Sequence, residues 1–139
     1  MLRISKTFRW EMSHRLPFHK GLCVNLHGHS YRMRVMLEGE PNENGMIIDF
    51  YDLDTIFGSI VEKLDHSFLA DSTDAELAQY MKSRGYKVVE TEKYSTLENI
   101  VFLIGGMAKD GLSGHKNVKR MEIRIYESED AFCETEIEL

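Results

Sequence analysis

Three histidines and one cysteine fall within sixteen residues of one another: His14, Cys23, His27 and His29. His27 and His29 flank Gly28 and open the alternating stretch "HGHSYRMRVMLEG". In an extended strand, residues i and i+2 point the same way, roughly 7 Å apart for a rise of ~3.3 Å per residue. The two imidazoles can therefore reach one metal ion. Gly28 puts no side chain on the opposite face, so another backbone can approach there. His14 ends the preceding alternating stretch, on the face of Phe8, Trp10 and Met12. An antiparallel return brings it beside the pair. Three imidazoles plus an open position is a catalytic rather than a structural zinc arrangement. Zinc is the default ion for neutral imidazoles, although iron or nickel can use the same donors. A lone H-x-H is mostly incidental; three histidines at the ends of adjacent strands, with a cysteine nearby, favour a metal. His19 and His115 lie in loop contexts without such spacing and read as surface residues.

Four residues beside the histidine trio have chemistry to offer. Cys23 lies in the loop before His27. A lone cysteine is usually a small apolar plug. Beside a dication its thiolate is favoured and can act as a base, or it can become a fourth ligand and close the site. Asp65 and His66, in "LDHSF", pair a carboxylate with an imidazole that it can orient and make more basic. Neighbours in sequence need not face each other, and His66 also suits the negative end of a helix dipole. Glu127 continues the apolar face of Met121, Ile123 and Ile125. A carboxylate there must leave the sheet or bind something polar. It can accept two N–H groups from one edge of a heterocycle as charge-assisted hydrogen bonds. The competing reading is a solvated strand end.

The elements that position these groups follow from periodicity. "ISKTFRWEMSH" and "HGHSYRMRVMLEG" alternate with period two and read as half-buried strands, joined by the irregular "RLPFHKGLCVN". "EPNENG" is a turn. In "DFYDLDTIFGSIVEKLD", Phe50, Leu53, Ile56, Phe57, Ile60, Val61 and Leu64 recur at helical spacing, with Asp49 as the N-cap. "LADSTDAELAQYMKSRG" holds a short helix ending at Gly85, and "YKVVETEKY" reads as a strand. "STLENIVFLIGGMAKDG" is a second long helix, started by a capping box of Ser95 and Glu98 and weakened at Gly105 and Gly106. "NVKRMEIRIYE" and "AFCETEIEL" are the last two strands. The fold class expected is α+β, an antiparallel sheet with two helices on one face. Its outer edges must pair with something or stay short.

The bulk properties narrow the partners. A length of 139 residues points to one domain, 1–139, with one core. A net charge of −6 with both signs interspersed argues against a nucleic-acid surface. No apolar run is long enough for a bilayer, and the N-terminal stretch lacks the apolar core of a signal peptide. Two cysteines make no disulfide framework, so a reducing, cytoplasmic location is expected.

"FRWEMSHRL", "CVNLHGHSY", "GMIIDFYDL", "LDHSFL", "STLENI" and "EIRIYES" occur in the order seen in the 6-pyruvoyltetrahydropterin synthase and 6-carboxytetrahydropterin synthase family, which this chain resembles over almost its whole length. The resemblance implies the tunnelling fold, in which subunits join sheets edge to edge into an oligomeric β-barrel, commonly a homohexamer of two stacked trimers. It implies zinc on His14, His27 and His29, a catalytic Cys23, a catalytic Asp65–His66 pair and a pterin-anchoring Glu127. Thr96, in "STLEN", is the implied additional pterin contact; Ser95 replaces the family's proline there. The short C-x-x-x-H-G-H spacing is similar to that of the carboxytetrahydropterin enzymes. The implied reaction is conversion of 7,8-dihydroneopterin triphosphate to 6-carboxytetrahydropterin, with loss of triphosphate and acetaldehyde, in 7-deazaguanine (queuosine-type) biosynthesis. The alternatives are the pyruvoyl product, an aldolase-like cleavage of dihydroneopterin, or a non-enzymatic zinc-stabilised assembly module. The longer stretch 71–94 departs from the short bacterial members.

Overall fold

The alternating residues of the first two strands decide the architecture. The computed structural model describes residues 1–139. β1 (Leu2–His14) and β2 (His27–Gly39) pair antiparallel over their full length, from Leu2↔Gly39 to His14↔His27. Trp10, Met12, Tyr31, Met33, Val35 and Leu37 face inward and are buried. Arg9, Glu11, Ser30 and Arg34 face out. A slip of one residue would turn the whole apolar set to solvent, so the register is strongly specified.

α1 (Phe50–Leu64) follows, with the Asp49 carboxylate accepting the Tyr51 N–H at 2.8 Å as N-cap. Next come β3 (Ser67–Ala70), the short α2 (Ala75–Ser83) and β4 (Val88–Glu90). α3 (Leu97–Leu112), β5 (Val118–Tyr126) and β6 (Phe132–Glu138) complete the chain. The six strands form one sheet in the order β4-β3-β1-β2-β5-β6. Leu53, Phe57, Ile60 and Leu64 of α1, with Ile100, Val101, Ile104, Ala108 and Leu112 of α3, close the core over one face. No helix is long and apolar enough to cross a membrane.

Several expectations are corrected. The fold is α+β, but the sheet is mixed, because β3 runs parallel to both β1 and β4. The stretch 69–85 does hold the short helix expected, Ala75–Ser83, but it begins as the end of β3 and the helix stops two residues before Gly85. "YKVVETEKY" forms a strand only at Val88–Glu90. Four consecutive buried residues in β3 hide any period, which is how a strand covered on both faces reads. Leu69 points into the main core, while Phe68 and Ala70 pack with Ala78 in a second cluster. α2 therefore covers the opposite face from α1 and α3.

Ser95 does not cap α3. Its side chain is buried and donates to the Arg15 carbonyl at 3.3 Å, and the cap passes to Thr96, whose oxygen accepts the Asn99 N–H at 3.3 Å. Gly105 and Gly106 do not break α3 either. A Cβ on Gly105 would lie 2.7 Å from Ile137 Cδ1, so the glycine lets β6 pack close to a continuous helix.

Gly39 sits where the β2–β5 register shifts, and a Cβ there would collide with the Asn117 backbone carbonyl. The Asn117 amide donates to the carbonyls of Glu40 at 2.9 Å and Ile47 at 2.6 Å, which fixes the chain's exit toward α1. Gly39→Ala is expected to destabilise the protein by about 1–3 kcal/mol, the cost of overpacking against backbone. Gly106→Ala, in open space on α3, is expected to stabilise it by about 0.5–1 kcal/mol through helix propensity. Urea denaturation of both variants checks the pair; equal midpoints would contradict this account of Gly39.

Candidate functional site

The β1–β2 register places His14 directly opposite His27, with His29 one pleat further along the same inward face. Their ring centroids lie 4.7 Å apart for His14–His27, 5.2 Å for His14–His29 and 5.0 Å for His27–His29. One nitrogen from each ring falls within 4.8 Å of the other two. The donor nitrogen is fixed in two of the rings. His14 Nδ1 lies 2.7 Å from the Ser95 carbonyl, and His27 Nδ1 lies 2.7 Å from the Asn25 carbonyl. A carbonyl only accepts, so each Nδ1 carries the hydrogen and each Nε2 keeps a free lone pair. Backbone carbonyls commonly orient metal-ligating histidines in this way.

His14 is 2% exposed, and its Nε2 has no partner. A buried acceptor without a partner is costly. Burial lowers the His14 pKa from 6.5 to about 4, against the raising effect of the Ser95 bond and with the help of charge on His27 and His29. The ring is thus neutral near pH 7, as a ligand must be. The three histidines could hold a metal ion in the three-nitrogen pattern that leaves a position open.

The same rings border a cavity of about 330 Å³ lined also by Cys23, Thr96, Glu98, Glu127 and Phe132. Cys23 sits in a single 3₁₀ turn, Leu22–Val24, outside the ligand group. Its loop is tied down by Leu16 N–H donating to the Cys23 carbonyl at 2.8 Å and Arg15 Nη1 donating to the Val24 carbonyl at 3.0 Å. Arg15 is held in turn by Asp74, at 2.8 Å. Glu127, one residue past β5, keeps the facing of Met121, Ile123 and Ile125; its Oε2 is 3.9 Å from His29 Nε2, beyond hydrogen-bond length. Beneath it Tyr31 is buried and stacked on Trp10 with centroids 5.3 Å apart. Burial, and then the charge of Glu127, push the Tyr31 phenol well above its usual range.

Asp65 and His66 do pair, Nδ1 to Oδ1 at 2.9 Å, but they lie elsewhere. Asp65 Oδ1 also accepts the Glu11 N–H at 2.9 Å, and that bond above all holds its carboxyl below the usual carboxylate range. His66 opens onto a second cavity of about 390 Å³, lined by the outward-facing Glu11, Ser13 and Ser30, with His29 bordering both this cavity and that of Cys23. Within one chain, the sheet separates this pair from the cavity of Cys23. His19 and His115 stand apart from both sites, as expected. The contributions of Ser95 and Asn25 were not foreseen. Both act through backbone carbonyls, which carry no mark in a sequence.

A family model described as 6-pyruvoyl tetrahydropterin synthase matches residues 3–138. The 6-carboxy-5,6,7,8-tetrahydropterin synthase of Haemophilus influenzae is 32% identical over 142 residues, covering 96% of this chain and 98% of that protein. The protein of the same name from Aquifex aeolicus is 32% identical over 150 residues, covering 90% of this chain and 91% of that protein. Among solved structures, the Plasmodium falciparum 6-pyruvoyl tetrahydropterin synthase superposes with a TM-score of 0.78 at 18% identity, over 99% of this chain and 98% of that one. A Wolinella succinogenes protein gives 0.79 at 20% identity, over 96% and 97% of the two chains. At such identities these structures support the fold alone.

The His14 shift fixes the sign of a pH effect. Between pH 6.5 and about 4 the unfolded chain takes a proton on His14 that the folded chain refuses. Stability of the metal-free protein is therefore complete above about pH 6.5 and falls as pH drops toward 4. Urea midpoints from pH 7.5 to 4.5 are expected to show this fall, and His14→Gln is expected to flatten it. An unchanged slope in His14→Gln would mean that another group titrates.

Proposed function

The chain belongs to the 6-pyruvoyl tetrahydropterin synthase family, and from that premise we propose that it is a zinc-dependent 6-carboxytetrahydropterin synthase. The reaction is conversion of 7,8-dihydroneopterin triphosphate and one water, which supplies the second carboxyl oxygen, to 6-carboxytetrahydropterin with release of triphosphate and acetaldehyde, a step of 7-deazaguanine biosynthesis. The relatives that carry this name support the choice of product. The observation that carries the reading is the unpartnered His14 Nε2 at the edge of a cavity shared with Cys23 and Glu127.

His14, His27 and His29 would hold the zinc, which when bound supplies Lewis acidity toward oxygens of the substrate side chain. Glu127 accepts the ring N–H and the exocyclic amine of the pterin together. Thr96 uses its oxygen to cap α3, which leaves its hydroxyl hydrogen for the ligand. Cys23, as thiolate, takes a proton from a side-chain carbon. Triphosphate leaves by elimination, so no protein group need attack phosphorus. His66, oriented by Asp65, returns protons on the other side of the substrate.

That last role needs a second copy of the chain, because His66 is on the far face of its own sheet and 75% exposed. The sheet ends in β4 and β6, each with one edge left free for pairing. Edge pairing into a ring, with two rings stacked, brings the dyad of one subunit to the cavity of its neighbour. The pyruvoyl product is the second reading, favoured by the description of the matching family.

Chromatography of the products from 7,8-dihydroneopterin triphosphate separates the readings: the 6-carboxy product is expected, and the 6-pyruvoyl product alone would replace it with the second. Cys23→Ala is expected to keep its zinc and lose roughly 10²–10⁴ in rate, as for a general acid–base group. Loss of zinc instead would make Cys23 a ligand. Glu127→Gln is expected to weaken pterin binding by about 1–3 kcal/mol, the cost of a badly paired polar group, with zinc content unchanged. Calorimetry reads that loss; undiminished affinity would place the anchor elsewhere. Mixed oligomers of Cys23→Ala and His66→Ala chains are expected to recover part of the activity that each variant lacks alone.

A further inference from the structure

α2 and β4, between β3 and α3, take no part in the chemistry above, yet the residue that leads into β4 lies against the Asp65–His66 turn. β4 lies parallel to β3 with Phe68 opposite Val88, which sets Lys87 beside the turn. The Lys87 carbonyl accepts the Phe68 N–H at 3.0 Å. Its ammonium donates to two carbonyls, Glu62 and Asp65, each at 2.7 Å. The first belongs to the last turn of α1, where carbonyls lack helical partners and a cation offsets the negative end of the dipole. The second belongs to the dyad itself.

His66 needs such restraint. It is the one non-glycine residue with a positive φ, +57°. Such a conformation persists in a side-chain-bearing residue only where its surroundings over-determine it. β1 supplies one side of the restraint: His66 N–H donates to the Glu11 carbonyl at 2.6 Å, and Asp65 Oδ1 accepts the Glu11 N–H at 2.9 Å. The other side of the turn is held by Lys87. Met81, Tyr86 and Lys87 also wall the cavity onto which His66 opens.

We propose that Lys87 is a positioning residue for the Asp65–His66 pair: by clamping the Glu62 and Asp65 carbonyls, it keeps the His66 backbone left-handed and its imidazole turned to the cavity. The inference rests on the reading of that pair as acid–base machinery. It gives the segment 71–94 a purpose, because β4 is the strand that delivers the lysine.

The test uses the zinc-loaded oligomer with Lys87→Met, Lys87→Gln, Lys87→Arg and His66→Ala. Turnover is measured together with the ¹H–¹³C ring resonances of His66. Lys87 is exposed, so these variants should fold. Lys87→Met and Lys87→Gln are expected to lower kcat by about 10-fold or more with KM within about threefold, as for a misplaced catalytic group. Zinc content should hold, the His66 resonances should move, and Lys87→Arg should restore both. Wild-type kcat in Lys87→Met and Lys87→Gln beside an inactive His66→Ala overturns the inference and leaves the reaction intact. Full turnover in His66→Ala overturns the reaction reading instead. The resonances then decide alone: unmoved peaks in Lys87→Met overturn the inference, and moved peaks that Lys87→Arg restores sustain it.

Discussion

The register of β1 against β2 is the constraint on which the rest of the structure depends. Thirteen consecutive pairs, from Leu2↔Gly39 to His14↔His27, are held by the burial of Trp10, Met12, Tyr31, Met33, Val35 and Leu37. None of these apolar residues does chemistry. They make any other register expensive, and the register is what sets His14 across from His27 and one pleat from His29. β5 then extends the same inward face, so the row Met121, Ile123, Ile125 delivers Glu127 to the same end of the sheet. The three-histidine group is thus a by-product of core packing at the point where the core runs out.

The site lies at that end because its groups need both burial and access. His14 is deep enough to stay neutral, and the Ser95 carbonyl behind it fixes the tautomer. Ser95 is able to do so because its own side chain is spent on the Arg15 carbonyl while Thr96 takes over the helix cap. The start of α3 is therefore joined to the end of β1, and one short segment both begins a helix and orients His14. The loop of Cys23 is attached to the same framework through Arg15, which bridges it to Asp74 at the start of α2.

The sheet also divides the chemistry. His14, Cys23 and Glu127 line one cavity and His66, with the outward-facing Glu11, Ser13 and Ser30, lines another, while His29 borders both. A strand alternates its side chains, and the outward-facing Glu11 holds the Asp65–His66 turn on the side of the sheet away from the His14, Cys23 and Glu127 cavity.

Much of this was legible in the sequence. Period-two alternation predicted β1 and β2, the same-face argument grouped His14, His27 and His29, and the apolar row ahead of Glu127 pointed that carboxylate into a pocket. These are local rules, set by backbone geometry within a few residues. Tertiary contacts decided the rest. β3 is buried on both faces and shows no period, so it became visible only with a helix on each side of it. The cap of α3 moved by one residue because Ser95 found a partner eighty residues away at the end of β1. Gly105 keeps α3 whole because β6 leans on it. Asp65 and His66 declared their pairing as neighbours, but not the face on which they stand. That face follows from Glu11, fifty-four residues earlier, whose N–H the Asp65 carboxylate accepts. Sequence determined which groups share a strand face; only the assembled sheet decided which face each group occupies, because that depends on partners distant in the chain.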